Sequence, residues 1–600
     1  MEYQPVEQEV KQRQRTRSIG RDLLLALAVA AVLSLCWAVR DWANLSHLLL
    51  PDSDDMMRLA QVRDWLGGQG INDWTQYRMA PPFGAPMHWS RVNDFGIAGL
   101  ILAFTPLLGR HGAELAAVLG YPALLFSAHL FLSARLARRI WGAEAALIAV
   151  VLGAVAYPGT TVFAAGRIDH HALQVVLTEV AVLATVARAG LASGAVAGIA
   201  IALGLVVGLE TVPQVAAIIA VIFAFWVVRG RIESARLAGV ALGLAATTVP
   251  FVMLLRPTLW SASLCDAFTP ATSNATFAGA GAMATLALLT PRLGNWRMRL
   301  AVGAALGSIT LAVVLRAYPA CLAGPYGAVD PFLRREFIPH IDEANSVFAQ
   351  PSMARMVQLG GLMLAACAGV VWTALRYPAR WRRWAALAAV VGISGLVTLA
   401  QVRGTYVGAP LSAALLSGVV LAARHRVPNN AALLAGAWLG CAGMGWYAAP
   451  ILAEKLLPRT VGPASGGAAP TLPRTRCNTA EGWESVNSYA PGVVMTSTSI
   501  AADLTAATGM STVGAGYHRN NRGNMDLYRY FLSPPTRGAV IARAWHVRYV
   551  AYCPGDFEEM NASARFPRSL VAILARGHAP AGFEQLPLRG TRLRFYRIAP

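Results

Sequence analysis

The chain has 600 residues, of which 56% are hydrophobic and 14% charged, with a mean hydropathy of +0.47. A soluble protein of this length needs far more charge to cover its domains, so most of the chain is not a soluble enzyme. The formal charge of +20 does not mark a nucleic-acid binder: the arginines cluster in short loops, and no basic stripe carries interleaved aromatics.

In chain order, residues 1–22 are polar and basic (Lys11, Arg13, Arg15, Arg17, Arg21) and lead into an apolar run at 23–39. That pattern reads as a cytoplasmic N-terminus with a retained first span, not a cleavable signal. Apolar runs close to or above ~18 residues recur to residue 450, so 23–450 is expected to be a polytopic helical membrane domain. Arginines group at Arg135/Arg138/Arg139, Arg229/Arg231/Arg236, Arg292/Arg297/Arg299, Arg376/Arg380/Arg382/Arg383 and Arg424/Arg426. By the positive-inside rule these loops are cytoplasmic. Residues 40–94 then lie outside and 135–139 inside, which permits one crossing between them, made by 112–132. The ~14 residues 95–108 are short for a span and read as an interfacial or re-entrant piece. Alternation continues through 141–157, 173–186, 191–207, 215–228, 237–255, 277–289, 300–316, 356–375, 384–400, 407–423 and 431–449. The total expected is about 13 transmembrane helices, with outer loops at 40–111, 158–172 and 317–355.

Composition changes after Pro450. Residues 451–473 form a Pro/Gly linker, and 474–600 is polar enough for a soluble extracytoplasmic α/β domain, with strands near 492–497, 547–552 and 593–598 and a helix near 569–576. Cys36, Cys367 and Cys441 sit in apolar spans as small hydrophobes. Cys265, Cys321, Cys477 and Cys553 fall outside, where disulfides persist; a Cys477–Cys553 pair would bracket the soluble domain, but spacing alone does not fix the pairing.

Two acidic clusters carry the chemistry. Pro51-Asp52-Ser53-Asp54-Asp55 follows the first span, and Gly166-Arg167-Ile168-Asp169-His170-His171 lies between two apolar segments. Acids and imidazoles at a bilayer edge are costly without a task. The topology puts both clusters on one face, where an acid of the first cluster (Asp52, Asp54 or Asp55) can converge with Asp169 and His171 on one divalent cation, Mg²⁺ or Mn²⁺. An N-cap for a helix at 55–66 needs one acid of the first cluster, not three. His170 is the weaker of the two histidines. His88, beside Trp89, is either a membrane-surface anchor or a further ligand. His340-Ile341-Asp342-Glu343 occupies the long outer loop. Arg403, at an outer span end, violates the inside bias and so points to a bound anion such as a lipid phosphate.

These residues resemble the catalytic subunit of the oligosaccharyltransferases, within the GT-C class of polyprenyl-phosphate-dependent membrane glycosyltransferases. The family carries thirteen spans, an outer C-terminal domain and an acidic motif in the first outer loop, to which Asp54-Asp55-Met56-Met57-Arg58 corresponds. The resemblance implies that Asp54 is the catalytic and metal-binding acid, with Asp52 competing for the register. It also implies that Asp169-His170-His171 matches a D-x-H metal motif, His88 a late first-loop metal ligand, Glu343 the acid of the fifth outer loop, and Arg403 the donor-phosphate arginine. It further implies an inverting, metal-assisted transfer from a polyprenyl-(pyro)phosphate-linked donor to an acceptor protein, lipid or glycan, with the bacterial inner membrane as the location. The family's W-W-D-Y-G motif is absent, and Glu481-Gly482-Trp483-Glu484 is its nearest counterpart. Competing readings are an O-antigen-ligase-like enzyme and a lipid-linked-glycan flippase or transporter. Glu114, Glu144, Glu179 and Glu210, close to spans, would serve the transporter.

Overall fold

The computed structural model describes residues 3–255, 264–324, 326–456 and 477–598; most of the expected linker, from residue 457, lies outside the described residues. Among the described residues, eight helices are long and apolar enough to cross a membrane, nine if a bent pair is one span. Three shorter apolar helices (Ala145–Ala154, His171–Val186 and Leu191–Val207) and the helix Pro270–Leu289 occupy the other expected positions. Every expected span is therefore helical, and the chain is a polytopic α-helical membrane protein with a C-terminal α/β domain.

The segment 92–140 contains two helices separated at Gly109, whose φ of 68° and ψ of 174° break the helical path. Asp94, at its start, accepts from Arg58 at 3.1 Å, and Glu114, just beyond Gly109, accepts from Arg63 at 2.7 Å. Arg58 and Arg63 lie on one 14-residue helix, Ser53–Leu66, so the segment leaves and returns on the same side. The re-entrant reading of 95–108 has this physical basis.

Two expectations need correction. The helix begins at Ser53 instead of residue 55, because the Asp52 side chain accepts from Asp54 N–H and acts as N-cap. The last span is also not continuous. Ala431–Cys441 and Gly443–Leu456 meet at 104°, where Met444 N–H donates to Val155 O at 3.0 Å and draws the second piece off axis.

The arginine clusters gather at one end of the bundle. Arg135 and Arg138 hold Asp22, Arg139 donates to Val186 O, Arg236 to Thr185 O, and Arg299 to Val227 O. Gly194/Gly198 on Leu191–Val207 face Gly239/Gly243 on Arg231–Leu254. A Cβ on Gly194 would stand 2.2 Å from Arg236 O, and one on Gly243 2.4 Å from Ala195 O. Paired small-xxx-small stripes of this kind let backbones approach in lipid, where no hydrophobic drive separates helix from tail.

The small antiparallel pair β1 (Thr75–Gln76) and β2 (Ala85–Pro86) sits in the first loop. The C-terminal sheet comprises β3 (Val493–Met495), β4 (Ser511–Thr512), β5 (Val547–Tyr552), β6 (Phe583–Leu586) and β7 (Arg594–Ile598), in the order β4-β3-β5-β7-β6. β3 runs parallel to β4 and β5, while β7 is antiparallel to its neighbours. Trp483 is buried in the helix Ala480–Asn487 and bonds Asn478, a core role. The domain docks on the first loop: the helix Thr498–Ala507 packs against Ser53–Leu66, Ala80 N–H donates to Thr512 O at 2.7 Å, and Thr512 N–H donates to Arg78 O at 2.8 Å. Disulfides join Cys265 to Cys321 and Cys477 to Cys553, and Cys36, Cys367 and Cys441 are free.

Replacing Gly243 with Ile forces the two helices apart and is expected to cost about 1–3 kcal/mol, the range for overpacking. Gly279→Ala, which meets nothing within 4 Å, should leave stability unchanged or slightly higher. Thermal unfolding of both variants in one detergent checks this, and equal midpoints would refute the tight crossing.

Candidate active site

The site forms where the Ser53–Leu66 helix, the loop before His171–Val186, the loop at 342–344 and the start of Gly404–Arg426 meet. Gly166 has a φ of 84°, and a Cβ there would stand 2.7 Å from Leu45 and 2.8 Å from Pro51. Only glycine lets this loop turn so close to the first one.

Asp55 then fastens the two. Its Oδ1 accepts the N–H groups of Ile168 and Asp169, both at 2.8 Å, and Arg167 Nη1 reaches its Oδ2 at 3.2 Å and Asp52 at 2.7 Å. Arg58, fully buried, holds Asp94 at 3.1 Å and Asp169 at 3.4 Å, with Trp89 4.4 Å below its guanidinium. The first cluster is thus bound to the second by two arginines and a backbone clamp.

Asp169 Oδ1 lies 2.5 Å from His170 Nδ1, and its Oδ2 lies 3.3 Å from His171 Nε2. The ligand atoms of Asp169, His170 and His171 lie within 4.8 Å of one another, the one such group among the described residues. Glu210 joins it through His170 Nε2 at 3.3 Å and Gln174 at 2.8 Å. Glu343 stands 3.7 Å from His171 and accepts from Arg403 Nη2 at 3.0 Å. Arg403 also faces the Tyr326 hydroxyl at 3.4 Å, and its Nε is buried without a partner.

Asp54 sits at the mouth of this group. Burial raises its pKa well above the ordinary carboxylate value, reinforced by the charges of Asp52, Asp169 and Glu343. Burial also pushes Asp55 up, to about 8, against the pull of Arg167. Burial would raise Asp169 too, but His170, His171 and Arg58 hold it well below its usual range; burial lowers His170, and Asp169 with Glu210 outweighs that, taking it to about 10. So many carboxylates crowded with imidazoles form a donor set of hard oxygen and borderline nitrogen, which fits a divalent cation.

The expected residues therefore separate. Asp54, Asp169, His171, Glu343 and Arg403 come together. Asp52 is spent on the N-cap and Arg167. His88 is not in the Asp169 group: its ring stands 5.1 Å from that of His518, whose Nε2 lies 2.6 Å from Asp266. Glu179 pairs with His129 inside the bundle, Glu114 with Arg63 and Arg110, and Glu144 with His425 at the far end.

Sequence reasoning missed the C-terminal contribution. Tyr517 packs edge-on to Trp89, and its hydroxyl donates to Ser53 O at 3.3 Å, beside Asp54. Arg519 grips Asp266 at 2.6 Å. No local motif announces Tyr517, whereas Arg58, equally missed, stands one turn after Asp54 in an acidic helix, and that placement is the signal that could have found it.

The sequence matches no protein-family model and no curated protein. Solved structures are another matter. The archaeal oligosaccharyltransferase AglB from Archaeoglobus fulgidus, in complex with an inhibitory peptide and a dolichol-phosphate, superposes with a TM-score of 0.66 at 18% identity, covering 97% of this chain and 74% of that one. The chain has the fold of an oligosaccharyltransferase. The Archaeoglobus fulgidus enzyme complexed with Zn and sulfate gives 0.64 at 15% identity, covering 95% and 73%. The form tethered to an acceptor peptide with an NVT sequon gives 0.57 at 16%, covering 96% and 74%.

Removing Arg58 leaves Asp94 and Asp169 buried without their shared cation. Arg58→Met is expected to lose about 3–5 kcal/mol, the cost of breaking a buried pair. Arg58→Met/Asp94→Asn, relieved of one charge, should recover part of it. Chemical unfolding of the two variants distinguishes this network from a set of neutral contacts.

Proposed function

We propose that the chain is a membrane glycosyltransferase that moves a sugar or oligosaccharide from a polyprenyl-(pyro)phosphate carrier to an acceptor on the extracytoplasmic face. The observation that carries this is the convergence of Asp54, Asp169, His171, Glu343 and Arg403 from separate loops at the end of the bundle away from the arginine clusters. It stands within a fold whose archaeal representative was observed with a dolichol-phosphate.

Arg403 offers a planar guanidinium to the carrier's phosphate, with hydrogen bonds directed at its oxygens. Asp54 orients the acceptor and receives its proton, as a carboxylate of raised basicity can. The acceptor atom bonds to the anomeric carbon from the side opposite the phosphate; the C–O electron pair departs with the phosphate, and the centre inverts. Asp54, Asp169, His170 and His171 are the groups that would hold a divalent cation, which would supply charge neutralisation for the leaving phosphate. Carboxylates suit Mg²⁺ or Mn²⁺, and imidazoles favour Mn²⁺.

The space between His171, Glu210 and Arg403 is only about 10 Å³. Glu343 holds Arg403 Nη2 at 3.0 Å, so a phosphate bonding that nitrogen takes the place of this carboxylate. Glu343 is thus a positioning residue that exchanges one anion for another.

In nanodiscs, Arg403→Ala should bind undecaprenyl phosphate roughly 10- to 150-fold more weakly than wild type, and Arg403→Lys should fall between, since charge-assisted bonds of this kind are worth about 1.5–3 kcal/mol. Equal affinity in all three removes the donor role. With a lipid-linked sugar as donor, EDTA should abolish turnover and Mn²⁺ or Mg²⁺ restore it, while Asp54→Ala should lose at least about 100-fold. Turnover that survives both treatments sinks the mechanism.

We place the N-terminus in the cytoplasm and the C-terminal domain outside, on the arginine distribution. In a chain lacking its three free cysteines, Ala349→Cys and Ala564→Cys should react with an impermeant maleimide in intact cells, and Gly294→Cys only after permeabilisation. The reverse pattern inverts the topology.

A further inference from the structure

The two imidazoles beside Asp169 each have a second ring nitrogen, and the proposed reaction gives those nitrogens nothing to do. A histidine holds a cation through one nitrogen, and the partner of the other decides which one that is. The surroundings of His170 and His171 settle this in opposite ways.

His171 turns Nε2 toward Asp169 Oδ2, 3.3 Å away, and Nδ1 toward Gln174 Oε1, also at 3.3 Å. Gln174 lies buried one turn further along the same helix, and its Nε2 donates to Glu210 Oε2 at 2.8 Å. A carboxylate only accepts, so the amide nitrogen faces Glu210 and the amide oxygen faces His171. Nδ1 of His171 therefore carries the hydrogen, and Nε2 the lone pair.

His170 is the mirror case. Its Nε2 faces Glu210 Oε1 at 3.3 Å, and its Nδ1 faces Arg58 Nη2 at 3.3 Å. The carboxylate needs a donor and the guanidinium an acceptor, so Nε2 carries the hydrogen and Nδ1 the lone pair. Asp169 Oδ1 stands 2.5 Å from that Nδ1. Two lone-pair atoms come so close only around a shared positive charge. A proton can supply it, and a metal cation that binds there takes the proton's place.

Glu210 reaches both partners from the loop between Leu191–Val207 and Val212–Arg229. A Cβ on Gly208 would run into Glu210 Oε2 and stand 2.9 Å from Gln174 Nε2, so glycine at 208 leaves room for the pair.

We propose that Gln174 and Glu210 are positioning residues for the metal: they hold His170 and His171 in opposite tautomers, each with its lone pair on the side of Asp169, so that both imidazoles ligate and the site prefers Mn²⁺ to Mg²⁺. The proposal rests on the metal reading of this site. It gives His170 a full share in the ligand set and makes one carboxylate from the third outer loop the common anchor of both rings. Nitrogen donors suit Mn²⁺ better than Mg²⁺, which prefers oxygen and keeps its water.

The test uses Mn²⁺ and the full chain in phosphatidylcholine nanodiscs. The electron paramagnetic resonance signal of free Mn²⁺ gives the affinity, competition gives that of Mg²⁺, and electron spin-echo modulation counts the histidine nitrogens on the bound ion. Wild type should show couplings to two of them. Glu210→Gln keeps the shape but turns an N–H on one of its two donors, and Gln174→Leu changes no charge. Each should bind Mn²⁺ about 10- to 100-fold more weakly, the usual cost of losing such a partner, with Mg²⁺ affinity changed far less. Glu144→Gln, which removes a carboxylate at the far end of the bundle, should match wild type. Unchanged Mn²⁺ affinity in either site variant overturns the proposal, as does an equal loss for Mg²⁺. A single nitrogen coupling in wild type also overturns it, leaving His170 as a proton-bearing partner of Asp169. Wild type that binds no Mn²⁺ sinks the metal reading and this proposal together, whereas the other failures leave the metal reading standing.

Discussion

Two guanidiniums, one fully buried and one largely so, decide what this molecule can be. Arg58 and Arg167 bring together carboxylates that would otherwise repel one another across two loops more than a hundred residues apart in sequence. A charge stripped of water is tolerated only when paired and hydrogen-bonded. The acids need the arginines to be buried at all, and the arginines need the acids. Geometry at the first loop, the second loop and the re-entrant helix is therefore a single solution to one electrostatic problem. Asp54, lying at the edge of that solution with its charge incompletely compensated, is the group left with chemical capacity.

The helical scaffold works under a different constraint. In lipid, burying another leucine adds little, so the bundle relies on close backbone approach and on polar ties at its two ends. The facing glycines of Leu191–Val207 and Arg231–Leu254 supply the first, and arginine-to-carbonyl bonds supply the second. Short helices such as Ala145–Ala154 are possible because the turns after them, including Gly159–Phe163, are covered by protein and not by lipid.

Much of this was legible in the sequence because its causes are local. Apolar run length marks spans, and arginine clusters mark one side; together they put Asp54 and Asp169 on one face, and the two clusters do meet. Glu343 and Arg403 were legible through short motifs, and they do meet. What was not legible depends on tertiary encounters. The 104° break in the last span lies beside a backbone bond to Val155, the ion pair of Asp52 needs the loop that brings Arg167, and the company of His88 comes from His518, far along the chain. Tyr517 carries no neighbouring signal, because its importance lies in where the sheet delivers it.

That delivery sets an order in time. The roof over Asp54 is made by Tyr517, and its anchorage by Arg519 on Asp266, so the first loop waits for a segment over 400 residues downstream. Chains are made from the N-terminus and domains fold as units. A nascent chain with all its spans inserted consequently still has an open, water-filled pocket beside Asp54. The pocket beside Asp54 is complete only in the finished polypeptide.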